Sequence, residues 1–252
     1  MDLKLGQPYA YKDQSLVDHM IGCLNKLESF LHANPNYTRI VYARLLSAGV
    51  DTAKPEAIED MLRLGVAVHD LGKAYMHYQE NIERHGGGFE GHEILSAVSC
   101  YKILKMLENR EPLRVLLLIA VLNHHQALRE SIPKLLGDEM DLSIEKVKHV
   151  ARAGLCNSVS NLEPILKEFG LTVEGVFAKN YSEFQVLVQK LRGLLRFFLY
   201  RNFNENRKWL KLHGLLTFPI VLADNLDAHE KRGGSMGDRL IIKELRRVVE
   251  DG

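Results

Sequence analysis

Imidazoles and carboxylates recur in this 252-residue chain where apolar runs would otherwise continue or end. The sharpest case is His69-Asp70, in the stretch Val-Ala-Val-His69-Asp70-Leu-Gly-Lys73 that closes a long apolar segment. A nitrogen donor beside an oxygen donor can serve a divalent transition metal. His19 falls in a helical stretch near the N-terminus, and His92 follows a glycine-rich loop. His124-His125 ends a nearly all-apolar segment, and Asp224 interrupts another. With 11 His in the chain, a lone His-Asp or His-His pair arises readily by chance. The setting gives these residues weight, because an imidazole or carboxylate buried without a partner is costly.

Each position also has a plainer reading. His19, next to Leu16 and Cys23 on a helix face, could be a core-edge histidine satisfied by a backbone carbonyl. His92 could simply start a helix. Asp224 could sit in a buried salt bridge, although no basic residue lies within a helical turn of it. Asp227, one turn on, could be the inward group instead. The adjacent imidazoles of His124 and His125 point in different directions, and both need partners.

Five His and two Asp exceed the ligand needs of one metal. Two ions sharing a carboxylate fit better, and Asp70 is the natural bridge. The donor mixture suits Mn, Fe, Co, Ni or Zn better than a purely oxygen-loving ion such as Mg, which stays among the candidates. Two such ions about 3.5 to 4 Å apart can activate water and stabilise both the attacking and the leaving oxygen of a phosphodiester.

The elements that must position these residues read as helices almost throughout. Ser15-x-x-Asp18 resembles a capping box ahead of the stripe Leu16, Met20, Leu24, Leu27, Leu31. Pro55 suits the first turn of a second helix carrying Ile58, Met61, Leu62, Gly65 and Val68, with Gly72 as its stop. A short helix is expected from Ala74 to about Glu83, and His85-Gly-Gly-Gly-Phe-Glu-Gly91 is a loop. Further helices are expected over His92 to Glu108, Pro112 to His125, Ser143 to Ala153, Ser182 to Phe203 and Leu210 to His229, with Gly233-Gly234 closing the last. One more is expected over Asp238 to Val249. Val115 to Leu122 is apolar on every side, the mark of a central helix. There is no repeat, no low-complexity tract and no alternating strand signal, so the expectation is one all-α domain over residues 1–252, with its core in roughly 10–230.

Composition narrows the function classes. At 46% hydrophobic and 26% charged residues the chain is ordinary for a soluble protein. No apolar run is long enough to span a bilayer, and the N-terminus has no secretory apolar region, so a cytoplasmic location is expected. Cys23, Cys100 and Cys156 form no Cys-x-x-Cys pair, which argues against a disulfide framework or zinc knuckle and leaves them as buried or neutral thiols. A net charge of +1 excludes a general polyelectrolyte attraction to nucleic acid. A local candidate remains: Lys190, Arg192, Arg196, Phe197, Phe198, Tyr200 and Arg201, then Arg207, Lys208, Trp209 and Lys211, interleave bases and rings as single-strand binders do. The same spacing equally fits core aromatics beside a solvated basic face. The Gly86 to Gly91 loop could border the entrance to the site, or could be only a connector.

The order His19, His69-Asp70-x-Gly-Lys73, His92-x-x-x-Ser96, His124-His125, Asp224 resembles the HD phosphohydrolase superfamily. More narrowly it resembles the HD nuclease of type I CRISPR interference, over roughly residues 10–230. The resemblance implies a helical bundle in which His19, His69, Asp70 and Asp224 hold one divalent ion and Asp70, His92, His124 and His125 a second. It further implies that Lys73 contacts the scissile phosphate or orients Asp70, with Ser96 supporting the ligands from behind. The implied reaction is metal-dependent cleavage of single-stranded DNA. The sequence contains no Gly-x-x-x-x-Gly-Lys-Ser/Thr loop, so the implied partner is a separate CRISPR-associated helicase. Two other classes remain open: an HD phosphohydrolase acting on dNTPs or cyclic nucleotides, and a non-catalytic helical adaptor with a saturated structural metal.

Overall fold

The computed structural model describes residues 7–50, 54–85, 88–106, 111–125, 138–198, 208 and 210–232. Helices dominate. They are α1 (Leu16–Ala33), α2 (Tyr37–Ser47), α3 (Glu56–Val68), α4 (Met76–His85), α5 (His92–Met106), α6 (Glu111–Asn123), α7 (Asp138–Ala153), α8 (Glu163–Glu168), α9 (Val173–Val176), α10 (Tyr181–Arg196) and α11 (Gly214–Arg232). The all-α expectation holds. A small antiparallel hairpin, β1 (Tyr9–Tyr11) and β2 (Gln14–Ser15), precedes α1, with Tyr9 facing Ser15 and Tyr11 facing Gln14.

α6 is the axis of the bundle. Leu113 and every residue from Val115 to Leu122 are buried, so each large apolar side chain there contributes roughly 1.5–3 kcal/mol. α3, α5 and α11 pack against it, and α1 lies along α11. Ser15 caps α1 as the spacing predicts: its Oγ accepts the Asp18 N–H at 3.0 Å and donates to Asp18 Oδ2 at 2.7 Å.

Several boundaries differ from the sequence expectation, each for a physical reason. The segment after His69-Asp70 does not run directly into a helix. Leu71–Ala74 is a 3-10 turn, and Tyr75 is extended because it pairs with Leu155, with Cys156 N–H donating to the Ala74 carbonyl and Met76 N–H to that of Gly154. Hence α4 starts at Met76 rather than Ala74. α6 stops at Asn123, so His124 and His125 stand in the turn just beyond it. α7 starts at Asp138, earlier than Ser143. α10 passes into a π turn at 197–198, and the rest of the expected helix to Phe203 lies outside the described residues. The expected Gly233-Gly234 stop and the Asp238 to Val249 helix also lie outside them.

The last helix starts at Gly214, after a 3-10 turn over Lys211–His213, and carries Pro219 in its body. Proline has no N–H to give the carbonyl four residues back, which is that of Leu215. The Tyr37 hydroxyl on α2 donates to the Leu215 carbonyl at 2.7 Å and fills the gap. Sequence patterning misses α2 because only Val41 and Leu45 along it are fully buried, too few to set a period.

Candidate metal centre

Two helices end at the site and one begins there. α3 stops at Val68, leaving its last carbonyls without helical partners. His69 Nδ1 takes one of them, lying 2.7 Å from the Val66 oxygen. The end of α6 repeats this: His124 Nδ1 lies 2.6 Å from the Val121 oxygen. At the start of α5, His92 Nδ1 lies 2.6 Å from the Phe89 oxygen. A carbonyl can only accept, so in all three rings Nδ1 carries a proton and Nε2 is the nitrogen left facing inward. The C-terminal ends of α3 and α6 also present the partially negative poles of their dipoles, which favours a cation.

What these nitrogens face is a carboxylate. Asp70 is fully buried, and its two oxygens look in opposite directions. Oδ2 lies 3.0 Å from His19 Nε2 and 3.6 Å from His69 Nε2. Oδ1 lies 2.9 Å from His92 Nε2 and 3.5 Å from His124 Nε2. Beyond His92, His125 Nε2 approaches its Nε2 at 3.0 Å. An acceptor facing an acceptor is repulsive unless a proton or a metal ion stands between them. His69 Nε2, His124 Nε2 and Asp70 Oδ1 are buried without a hydrogen-bond partner, as atoms reserved for a cation would be.

Two groups of donors follow, each with its atoms within 4.8 Å of one another. The inner group is His19, Cys23, His69 and Asp224, all buried. The outer group is Asp70, His92, His124 and His125, of which only His125 is exposed. Asp224 Oδ1 stands 3.4 Å from His19 Nε2 and 3.9 Å from His69 Nε2. Cys23, one helical turn after His19, lies 3.6 to 3.7 Å from both ring nitrogens. Burial pushes its thiol up to about 12, with the His19 ring pulling the other way, so it is protonated and neutral at ordinary pH.

Charge balance points the same way. Asp70, Asp224 and Asp227 are three buried carboxylates, faced by one buried ammonium, Lys73, whose Nζ lies 2.6 Å from Asp70 Oδ2. Burial alone would raise the Asp70 carboxyl; Lys73 first, then the imidazoles of His69, His124 and His19, hold it well below the usual carboxylate range. Burial likewise opposes ionisation of Asp224, which His19 and His69 keep well below its ordinary value. At His125, burial and the neighbouring His124 and His92 bring the imidazole down to about 3, leaving it a neutral donor.

The motif's glycine and serine hold the turn in place. A Cβ on Gly72 would stand 2.1 Å from the His92 carbonyl oxygen, so only glycine lets the Asp70 turn press against the first turn of α5. Ser96 Oγ, from that helix, accepts the Gly72 N–H at 2.8 Å. All the residues named from the sequence, His19, His69, Asp70, Lys73, His92, Ser96, His124, His125 and Asp224, therefore meet in one place.

Three neighbours were not singled out by spacing. Tyr11, on the hairpin, lays its ring 4.3 Å from Lys73 Nζ and donates its hydroxyl to Asp224 Oδ1 at 3.4 Å. Burial, then Asp224, raises that phenol to about 12. Gln14 donates to Asp227 Oδ2 at 2.8 Å, and Gln79 ties the Tyr9 strand to the Lys73 carbonyl. Cys23, left as a buried or neutral thiol by the sequence reading, did carry a signal, standing four residues after His19. Tyr11 and Gln14 did not, being more than 200 residues from the aspartates they touch.

The basic stretch resolves only in part. Leu187, Leu191 and Leu195 are buried on α10, whereas Lys190 and Arg196 are exposed and Arg192 half-buried, as on a solvated face. Phe198 is buried and Phe197 exposed. Lys208 is exposed, and Tyr200, Arg201, Arg207 and Trp209 lie outside the described residues.

The site is thus a His-Asp step inside a helical bundle, with imidazoles brought in from neighbouring helices. The chain is 28% identical over 230 residues to the CRISPR-associated endonuclease Cas3-HD of Saccharolobus solfataricus, covering 88% of each. It is 27% identical over 229 residues to the CRISPR-associated endonuclease Cas3-HD of Pyrococcus furiosus, covering 90% of this chain and 93% of that one. Among solved structures, the CRISPR-associated Cas3 HD domain protein from Methanocaldococcus jannaschii shares the fold, with a TM-score of 0.61 and 21% identity over 85% of this chain and 98% of that one. No protein-family model matches the chain. The chain is thus similar over nearly its full length to Cas3-type HD proteins. Among the described residues no helix is long and apolar enough to cross a membrane.

Proposed function

We propose that this chain is a metal-dependent nuclease that hydrolyses phosphodiester bonds of single-stranded DNA in CRISPR interference, with two divalent ions on either side of Asp70. The observation that carries this is the split of the Asp70 carboxylate: Oδ2 faces His19 and His69, and Oδ1 faces His92 and His124. His19, His69, Asp70 and Asp224 would hold one ion, and Asp70, His92, His124 and His125 the other. Mn, Fe, Co, Ni and Mg are the candidates, the imidazole-rich set favouring the transition metals. Bound there, two ions would supply an activated water and charge stabilisation for the phosphodiester.

The chain's own residues do the rest. Asp70 and Asp224, ionised despite burial, keep the site negative enough to retain dications. Lys73 orients Asp70 through its 2.6 Å contact and offers a positive charge for the phosphate. Ser96 fixes the turn behind Asp70. The relatives are CRISPR-associated endonucleases, which supports the reaction class. A site recessed among helix ends suits a flexible single strand better than a duplex. A CRISPR-associated helicase is the proposed partner that would deliver that strand.

The test is cleavage by chelator-treated protein resupplied with each metal in turn, on linear and circular single-stranded DNA, duplex DNA, dNTPs and cyclic nucleotides. Metal-dependent cleavage of single strands, strongest with Mn2+ or another transition metal and weak on duplex, is expected. Full activity in chelator would overturn the metal reading. Turnover of dNTPs or cyclic nucleotides without DNA cleavage would replace the substrate.

A further inference from the structure

Of the four imidazoles facing Asp70, three are held from behind by backbone carbonyls. His19 is held by a charge. Its Nδ1 donates to Asp227 Oδ2 at 2.6 Å, and Gln14 Nε2 donates to the same oxygen at 2.8 Å. Asp227 is 1% exposed and stands on α11, nearly one turn beyond Asp224. α1 can lie this close to Asp227 because residue 22 has no side chain: a Cβ on Gly22 would stand 1.8 Å from Asp227 Oδ1. The arrangement thus depends on a gap in one helix, a carboxylate from another and an amide from the hairpin.

A carboxylate behind an imidazole fixes its tautomer and increases the basicity of its far nitrogen, more than a neutral carbonyl does. His19 Nε2 is the far nitrogen here, and it points at Asp70 and Asp224. We infer that Asp227 is a positioning residue that makes the inner pocket the tight metal site of an unequal pair. The outer pocket, whose imidazoles lean on carbonyls and whose His125 is exposed, is then the weaker and more exchangeable one. This rests on the two-ion reading proposed above and assigns an order to it: the inner ion binds first and leaves last.

Mn2+ titration of the chelator-treated full chain, read by calorimetry with melting temperature recorded in chelator, tests it. His92→Ala identifies which binding step belongs to the outer pocket. Asp227→Asn keeps an acceptor for the His19 N–H but loses the charge, and should weaken the tighter step by about 10-fold; Asp227→Ala should weaken it by about 100-fold. Gly22→Ala alters no donor atom, and alanine favours a helix over glycine. By displacing the Asp227 carboxylate it should nonetheless weaken the tighter step to a similar extent. In the Asp227 and Gly22 variants the weaker step should stay within about 3-fold of wild type, well under the effect expected of a partner behind a ligand. Unchanged affinities in Asp227→Ala and Gly22→Ala, with only a lower melting temperature, would overturn the inference and leave the two-ion reading standing. So would a first ion that is lost with His92. A wild-type chain that binds no Mn2+ or other divalent metal would overturn both.

Discussion

The inner and outer pockets share one carboxylate yet are built in opposite ways. The outer one is assembled from helix ends: His92 opens α5, His124 and His125 follow α6, and two of these rings are pinned by a carbonyl three residues back. Those pins are local, so the pocket needs little beyond correct helix termini. The inner pocket is assembled from helix interiors. His19 comes from the body of α1 and Asp224 from the body of α11, and their hold on each other spans some two hundred residues of sequence. Only His69 there is held locally, by the Val66 carbonyl. Local pinning gives a site that is accessible and readily formed. Long-range pinning gives one that is closed, fully buried and dependent on the whole bundle.

Asp70 belongs to both pockets, so its loss should erase the difference. Asp70→Ala is expected to abolish binding of both ions and all cleavage. It should also destabilise the fold by about 3–5 kcal/mol, because the buried Lys73 ammonium loses the carboxylate it rests on. Metal analysis alongside thermal melting checks both parts, and retention of both ions would mean that Asp70 is not the bridge.

Next in size are the substitutions that separate the pockets. Asp224→Ala should remove mainly the inner ion and His92→Ala mainly the outer, each lowering cleavage by about 100-fold or more, as expected when one of two cooperating ions is lost. Stoichiometry measured at limiting Mn2+ distinguishes them, and identical losses in the two variants would show that the pockets do not act separately.

The smallest expected effect comes from support behind the bridge. Ser96→Ala leaves the buried Gly72 N–H without its acceptor and should cost about 1–3 kcal/mol. Both ions should be retained and cleavage reduced only several-fold. Denaturant melts with metal analysis check this; loss of an ion would promote Ser96 from support to a ligand-holding role.

The same contrast explains what could be read from the sequence. His69, His124 and His125 were legible because they close apolar runs, and His92 because it follows a glycine-rich loop at a helix start; those patterns survive without any knowledge of tertiary structure. His19 and Asp224 were legible as polar residues in apolar helices, and Asp227 was weighed only as an alternative to Asp224. The structure instead turns both aspartates inward, Asp224 toward the imidazole nitrogens facing Asp70 and Asp227 toward the rear of His19. Gly22 carried no signal, since its reason is an atom on a helix two hundred residues away. The hairpin escaped notice because its strands are three and two residues long and bury the polar Gln14 and Ser15. α2 escaped because its task is narrow: among other contacts it supplies the Tyr37 hydroxyl to a carbonyl orphaned by Pro219.

Anomalous diffraction from crystals grown with Mn2+ tests the shared-carboxylate centre most directly. Two peaks are expected, one between Asp70 Oδ2 and the His19, His69 and Asp224 donors, the other between Asp70 Oδ1 and the His92, His124 and His125 donors. A single peak under saturating Mn2+, or two peaks neither of which touches Asp70, would contradict it.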